Sequence, residues 1–143
     1  MRALCFLDTN ILIYAAAGKK DEPEKYARAT EIVRENDIVL STQVIGEFLH
    51  VSRKKYLKVM GVAQINSWAD SLFRYPTAMI DEAIIKSALF VAERYKISFW
   101  DAALVAAAEK MTAKTLYTED LSHSQKYGSV TAINPFKTLK DGT

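Results

Sequence analysis

Four acidic residues lie where the surrounding pattern calls for an apolar residue or a turn. Asp8 directly follows the apolar run at residues 3–7 and leads into Thr9-Asn10-Ile11-Leu12. It therefore occupies the carboxyl end of a strand, although Asp is also a favoured N-cap for the helix that follows. Glu47 shares a helical face with Val44 and Val51, three and four residues away. An unpaired buried glutamate is costly or becomes protonated, so Glu47 is expected to border a pocket or a cation. Asp101 interrupts an apolar stripe formed by Ile97, Leu104, Val105 and Ala108. Ser98-Phe99-Trp100-Asp101 also reads as a capping box in which Asp101 reaches back to the backbone of Ser98, a role compatible with holding a metal. Asp120, preceded by Glu119, follows Leu116-Tyr117 where a strand gives way to a loop; an Asx turn or cap explains that position too.

Together the four acids, Asp8, Glu47, Asp101 and Asp120, point to divalent-metal chemistry. Close carboxylates raise one another's pKa, and the ionised cluster is stable mainly when a cation neutralises it. Oxygen-only ligation suits Mg²⁺ or Mn²⁺, which retain waters and engage substrate phosphates. Phosphodiester cleavage is the reaction such a site would serve. The sequence has no G-x-G-x-x-G after the first strand, no Walker glycine loop, no zinc-type Cys/His spacing and no G-x-S-x-G. The two histidines are His50 and His123; His50, three residues after Glu47, is within reach of the site but is expected to be an ordinary surface or partly buried residue.

These residues need elements to hold them. Short apolar runs at residues 3–7, 38–40, 78–80, 116–117 and 130–133 predict strands, and periodic segments at 11–17, 24–35, 44–56, 63–73, 81–95 and 99–111 predict helices. Gly18, Pro23, Gly61, Pro76 and Gly128 punctuate the connections. Strands separated by helices imply a three-layer α/β/α fold with a central, mostly parallel sheet, and such sheets bind ligands beyond the carboxyl ends of their strands. Without repeats or linker-like composition, residues 1–143 read as a single domain. A chain of 143 residues buries about two thirds of its unfolded surface.

The single cysteine, Cys5, rules out an intrachain disulfide and is expected in a reducing, cytoplasmic compartment. No apolar run approaches the ~20 residues of a membrane span, and the first residues are too short for a signal peptide. A net charge of +2 does not by itself indicate nucleic-acid binding. Its distribution is more informative: Arg53, Lys54, Lys55 and Lys58 cluster around Tyr56, whereas acids crowd residues 21–37. The basic run is either a solvated helix end or a contact for an RNA backbone. Tyr56 and Trp100 are candidates for base stacking, although aromatics at helical spacing more often belong to a core.

The order of these motifs resembles the PIN-domain nucleases. Phe6-Leu7-Asp8-Thr9-Asn10-Ile11-Leu12-Ile13-Tyr14 resembles their opening motif, and Gly46-Glu47-Phe48 is similar to the second. Ser98-Phe99-Trp100-Asp101-Ala102-Ala103-Leu104-Val105 is similar to the third, and Leu116-Tyr117-Thr118-Glu119-Asp120-Leu121 to the fourth. The segment Val130-Thr131-Ala132-Ile133-Asn134-Pro135-Phe136 looks like the last strand and its exit.

Within that family the compact form is similar to VapC-type toxins of toxin–antitoxin pairs. The resemblance implies an endoribonuclease that cuts RNA, is held inactive by a cognate antitoxin and forms a homodimer. It places Asp8 and Asp101 as direct ligands of a magnesium or manganese ion. Glu47 and Asp120 complete the cluster or hold a second ion, with Glu119 as a competitor for the last place. Thr9, Asn10 and Thr118 would orient water or phosphate. The rival readings are a non-catalytic RNA- or partner-binding module retaining a metal pocket, and a phosphatase or phosphoreceiver domain using Asp8 itself. The Asp8-Thr9-Asn10 sequence lacks the D-x-D start of one such phosphatase family.

Overall fold

The sheet is built outward from its most apolar strand. β1 (Leu4–Leu7) buries Cys5, Phe6 and Leu7 completely or nearly so and pairs in parallel with β2 (Asp37–Ser41) on one side and β4 (Thr115–Tyr117) on the other. Such two-sided burial is expected for a central strand of a parallel sheet. β3 (Thr77–Ala78) adds to β2, also in parallel, and β6 (Val130–Ile133) adds in parallel to β4. β5 (Lys126–Tyr127) closes the edge antiparallel to β6, giving the order β3-β2-β1-β4-β6-β5. The computed structural model describes residues 2–137; Met1 and residues 138–143, which the sequence reading includes in its single domain, lie outside the described residues.

The helices are α1 (Thr9–Ala17), α2 (Pro23–Glu35), α3 (Thr42–Lys55), α4 (Leu57–Leu72), α5 (Glu82–Tyr95) and α6 (Phe99–Lys110). They flank the sheet in the expected three-layer α/β/α arrangement. α6 is the innermost: residues 102–108 are all buried, five of them alanines that let α5, β2, β4 and β6 approach closely. α3 is half-buried, with Val44, Ile45, Phe48 and Ser52 turned inward and its first turn capped by the Ser41 hydroxyl.

From β1 the chain winds outward to β2 and β3, then crosses back over β1 to β4. The reversal makes the carboxyl ends of β1 and β4 the switch point, where open α/β sheets hold ligands in a crevice. No helix among the described residues is long and apolar enough to cross a membrane.

Three elements depart from the sequence expectation. β3 falls at Thr77–Ala78 rather than residues 78–80, because the Ile80 N–H leaves the ladder to donate to the Thr42 hydroxyl at 3.1 Å. α4 starts at Leu57, upstream of residue 63, and is broken at Gly61, whose φ of 77° lies in the left-handed region that favours glycine. β5 was not anticipated. Two residues carry no periodicity, and what fixes them is the turn at Gly128, whose N–H donates to the Tyr95 hydroxyl at 2.8 Å, together with an edge-on contact between Tyr95 and Tyr127.

Candidate active site

Asp8 stands one residue beyond β1 and caps α1. Its Oδ1 accepts the Thr9 N–H at 2.7 Å, and its Oδ2 accepts the hydroxyl of Thr118 at 2.8 Å. Thr118, fully buried just beyond β4, also accepts the Asp120 N–H at 3.0 Å through the same hydroxyl oxygen. One threonine thus ties together the ends of the two strands that flank the crevice. The backbone reinforces this tie, since the Asp8 N–H donates to the Tyr117 carbonyl at 3.0 Å.

Only 5% of Asp8 is exposed. Burial pushes its carboxyl up to about 7; the hydrogen bonds from Thr118 and Thr9 resist the rise, and the adjacent Asp120 carboxylate adds to it. Asp101, in the first turn of α6, is also raised, chiefly by burial; the Ser98 hydroxyl opposes the rise and the charge of Asp120 adds to it. The Ser98 hydroxyl caps the helix by accepting the Asp101 N–H at 3.2 Å. Asp120 is therefore the shared neighbour of Asp8 and Asp101. Among the described residues none of the four acids has a salt-bridge partner.

Glu47 sits at the edge of this group. Its Oε2 accepts the Thr9 hydroxyl at 3.5 Å and its Oε1 the Gln43 amide at 3.4 Å. It is exposed, contrary to its place on an apolar stripe, because that side of α3 opens onto a pocket of about 430 Å³ lined by Thr42, Gln43, Gly46, Glu47, His50, Ile80 and Trp100. The expectation that Glu47 borders a pocket is met. Trp100 departs from the core reading of helical aromatics, being 55% exposed, while Tyr56 is half-buried against the core.

Among the described residues no three acidic, histidine or cysteine side chains already converge as a preformed ion cage. The donor chemistry nevertheless suits a hard cation. The candidate side chains offer oxygen donors only, two of the carboxyls are raised, and among the described residues no basic side chain forms a salt bridge with them. Mg²⁺ commonly binds through one or two carboxylates, with waters and phosphate filling its remaining positions.

Glu119 points elsewhere. Its two oxygens accept the Tyr14 hydroxyl at 2.9 Å and the Lys25 ammonium at 3.0 Å, and Lys25 in turn lies over the rings of Tyr14 and Phe136. Sequence reasoning missed Lys25, since nothing local connects residues this far apart in the chain. It also missed Gln43, although its place four residues before Glu47 on one helix face was a usable signal. Thr118, expected to orient water or phosphate, is buried and orients Asp8 instead; Asn10 is exposed.

Solved structures share this architecture. One chain of a toxin–antitoxin complex from Klebsiella pneumoniae matches with a TM-score of 0.67 at 18% identity, covering 92% of this chain and 97% of that one. VapC20 of Mycobacterium tuberculosis, described as a sarcin-ricin loop cleaving toxin, matches with a TM-score of 0.64 at 17% identity over 81% of this chain and 89% of its own. A chain of the Rickettsia felis VapBC2 complex, solved on a fragment of promoter DNA, gives 0.63 at 19% identity over 90% and 96%. At these identities the likeness is one of fold. No curated protein sequence matches significantly. The sequence profile of the PIN domain, however, matches residues 5–128, and with that span of agreement the chain belongs to the PIN domain family.

Proposed function

We propose that this protein is a metal-dependent endoribonuclease, acting as the toxin of a toxin–antitoxin pair, and that Asp8, Glu47, Asp101 and Asp120 form its catalytic centre. The observation that carries the reading is the buried Asp8, joined through Thr118 to Asp120 at the crevice between β1 and β4, with Asp101 in the same electrostatic neighbourhood. Asp8 and Asp101 would hold Mg²⁺ or Mn²⁺ directly, and Glu47 and Asp120 would complete the anionic set. A bound ion supplies Lewis-acid polarisation of the phosphodiester and a nucleophile of lowered pKa. Thr118 and the Thr9 N–H fix the direction of the Asp8 carboxylate, and the Thr9 hydroxyl steadies Glu47.

Substrate contact falls to the basic end of α3. Gln43, Glu47, His50 and Lys54 follow one another along one helix face, so Lys54 lies a turn beyond the acids, with Arg53, Lys55 and Lys58 nearby. These cations suit a polyanionic backbone. The toxin–antitoxin complexes among the structural relatives support a cognate antitoxin as partner. A homodimer belongs to the same reading, and the exposed Ile85, Leu89 and Phe90 on α5 offer apolar surface for an assembly. The unpaired Cys5 agrees with a cytoplasmic location, where the RNA lies.

The lack of a preformed ion cage is the observation that favours the other reading, a non-catalytic RNA- or partner-binding module. Incubating the protein with mixed RNA containing tRNA and rRNA, with Mg²⁺, Mn²⁺ or EDTA, separates the two. Metal-requiring new ends, reduced at least ~100-fold in folded Asp8→Ala and Asp101→Ala proteins, are expected. Full activity in both variants, or no cleavage by folded, inhibitor-free protein, would overturn the proposal.

A further inference from the structure

The pocket beside Glu47 is lined by none of the other three candidate acids. One wall is a stripe of α3 made of Thr42, Gln43, Gly46, Glu47 and His50; the others are Ile80, from the connection after β3, and Trp100, from the first turn of α6. Two features keep this space open. Gly46 lies inside α3, where glycine costs about 1 kcal/mol relative to alanine. Its backbone does not demand glycine, and a Cβ built there would meet nothing within 4 Å. Trp100 is held in place although more than half exposed: its ring packs edge-on against Phe99 at 4.9 Å, and its carbonyl accepts the Gln43 amide of α3 at 3.3 Å.

We infer that this pocket is a nucleobase subsite, which takes an unstacked base of single-stranded RNA next to the phosphate presented to the acids. The inference rests on the nuclease reading for its choice of ligand. Its exposed lining is mostly apolar, with Trp100 more than half exposed and polar groups on Glu47 and His50, which suits the apolar faces and polar edges of a base. A pocket of about 430 Å³ has room for one such ring system. Its position also fits, because Glu47 reaches the Thr9 hydroxyl on one side and lines the pocket on the other, so that a base seated there leaves its own phosphate at the carboxylate crevice. The subsite would give the enzyme a base preference that the acids, which meet only phosphate, do not supply.

The test uses binding in EDTA, so that turnover is not required. The two tryptophans are Trp68 and Trp100, and a Trp68→Phe protein leaves Trp100 as the only indole reporter. It is titrated with a short single-stranded oligoribonucleotide and with an abasic oligomer of the same length and charge. The expected result is quenching of Trp100 and at least roughly fivefold tighter binding of the base-bearing strand, the low end for one base–aromatic stack.

Gly46→Leu, which improves helix propensity and fills the pocket, should keep the thermal midpoint and abolish that preference. Equal affinity for the two oligomers, or a preference that survives Gly46→Leu, would overturn the inference. So would stronger quenching by N-acetyl-leucinamide than by adenosine monophosphate, which would assign the pocket to an apolar protein side chain. Base preference without metal-dependent cleavage would leave the subsite standing and remove the nuclease; cleavage without base preference would do the reverse.

Discussion

Asp8 is under two opposed demands. Burial disfavours its charge, while the Thr118 hydroxyl and the Thr9 N–H donate to its two oxygens, one each. Its folded pKa of about 7 lies above that of an unfolded aspartate, so between roughly pH 4 and 7 the folded protein holds a proton that the unfolded chain has released. Stability contributed by the protonated form is therefore present at the acid end of that window and is lost as pH rises through about 7. Metal-free protein should consequently be less stable at pH 8 than at pH 5. Asp8→Asn should flatten that dependence and raise stability at pH 8 by about 1–2 kcal/mol, as read from denaturant melts. A variant destabilised at pH 8, or a wild-type profile that rises with pH across this window, would show that Asp8 is comfortable as an anion.

At the scale of elements, the loop after β4 matters most, because it carries both Thr118 and Asp120. One side-chain anchor of this loop to the helical layer is Glu119, gripped by Lys25 of α2 and Tyr14 of α1, with the Lys25–Glu119 pair about four-fifths shielded from solvent. Breaking a partly buried pair leaves one charge without its partner. Lys25→Met should therefore cost about 1–2 kcal/mol in thermal or denaturant melts and slow RNA cleavage severalfold, since Asp120 loses its support. Unchanged melting and unchanged turnover would mean that the loop is held by its backbone alone.

This anchor also shows what a sequence leaves hidden. Asp8 and Asp120 were readable because each follows a short apolar run, and Asp101 because it breaks a periodic stripe; both signals are local. Lys25–Glu119, the two-residue β5 and the exposure of Trp100 depend on chain segments meeting in space, where no local pattern records the outcome. Glu47 lies between the two cases: its helix and its face were legible, but the pocket that exposes it is made by Ile80 and Trp100 from distant elements.

In the molecule as a whole, the four candidate acids come from separated parts of the chain, and the sheet topology sets where two of them stand. Asp8 and Asp120 follow the two strands that border the switch point, Asp101 lies in the first turn of the buried α6, and Glu47 lies on α3, where its carboxylate accepts the Thr9 hydroxyl. Among the described residues no basic side chain forms a salt bridge with any of them. On the proposed reading a divalent ion is what balances these carboxylates. The most direct measurement is a calorimetric Mn²⁺ titration of the wild-type protein and Asp8→Asn. The account predicts saturable wild-type binding that is tighter at pH 8 than at pH 6, because the ion competes with the proton on Asp8, and at least ~10-fold weaker binding in the variant. Equal binding by the two proteins, or no binding by the wild type at pH 8, would contradict it.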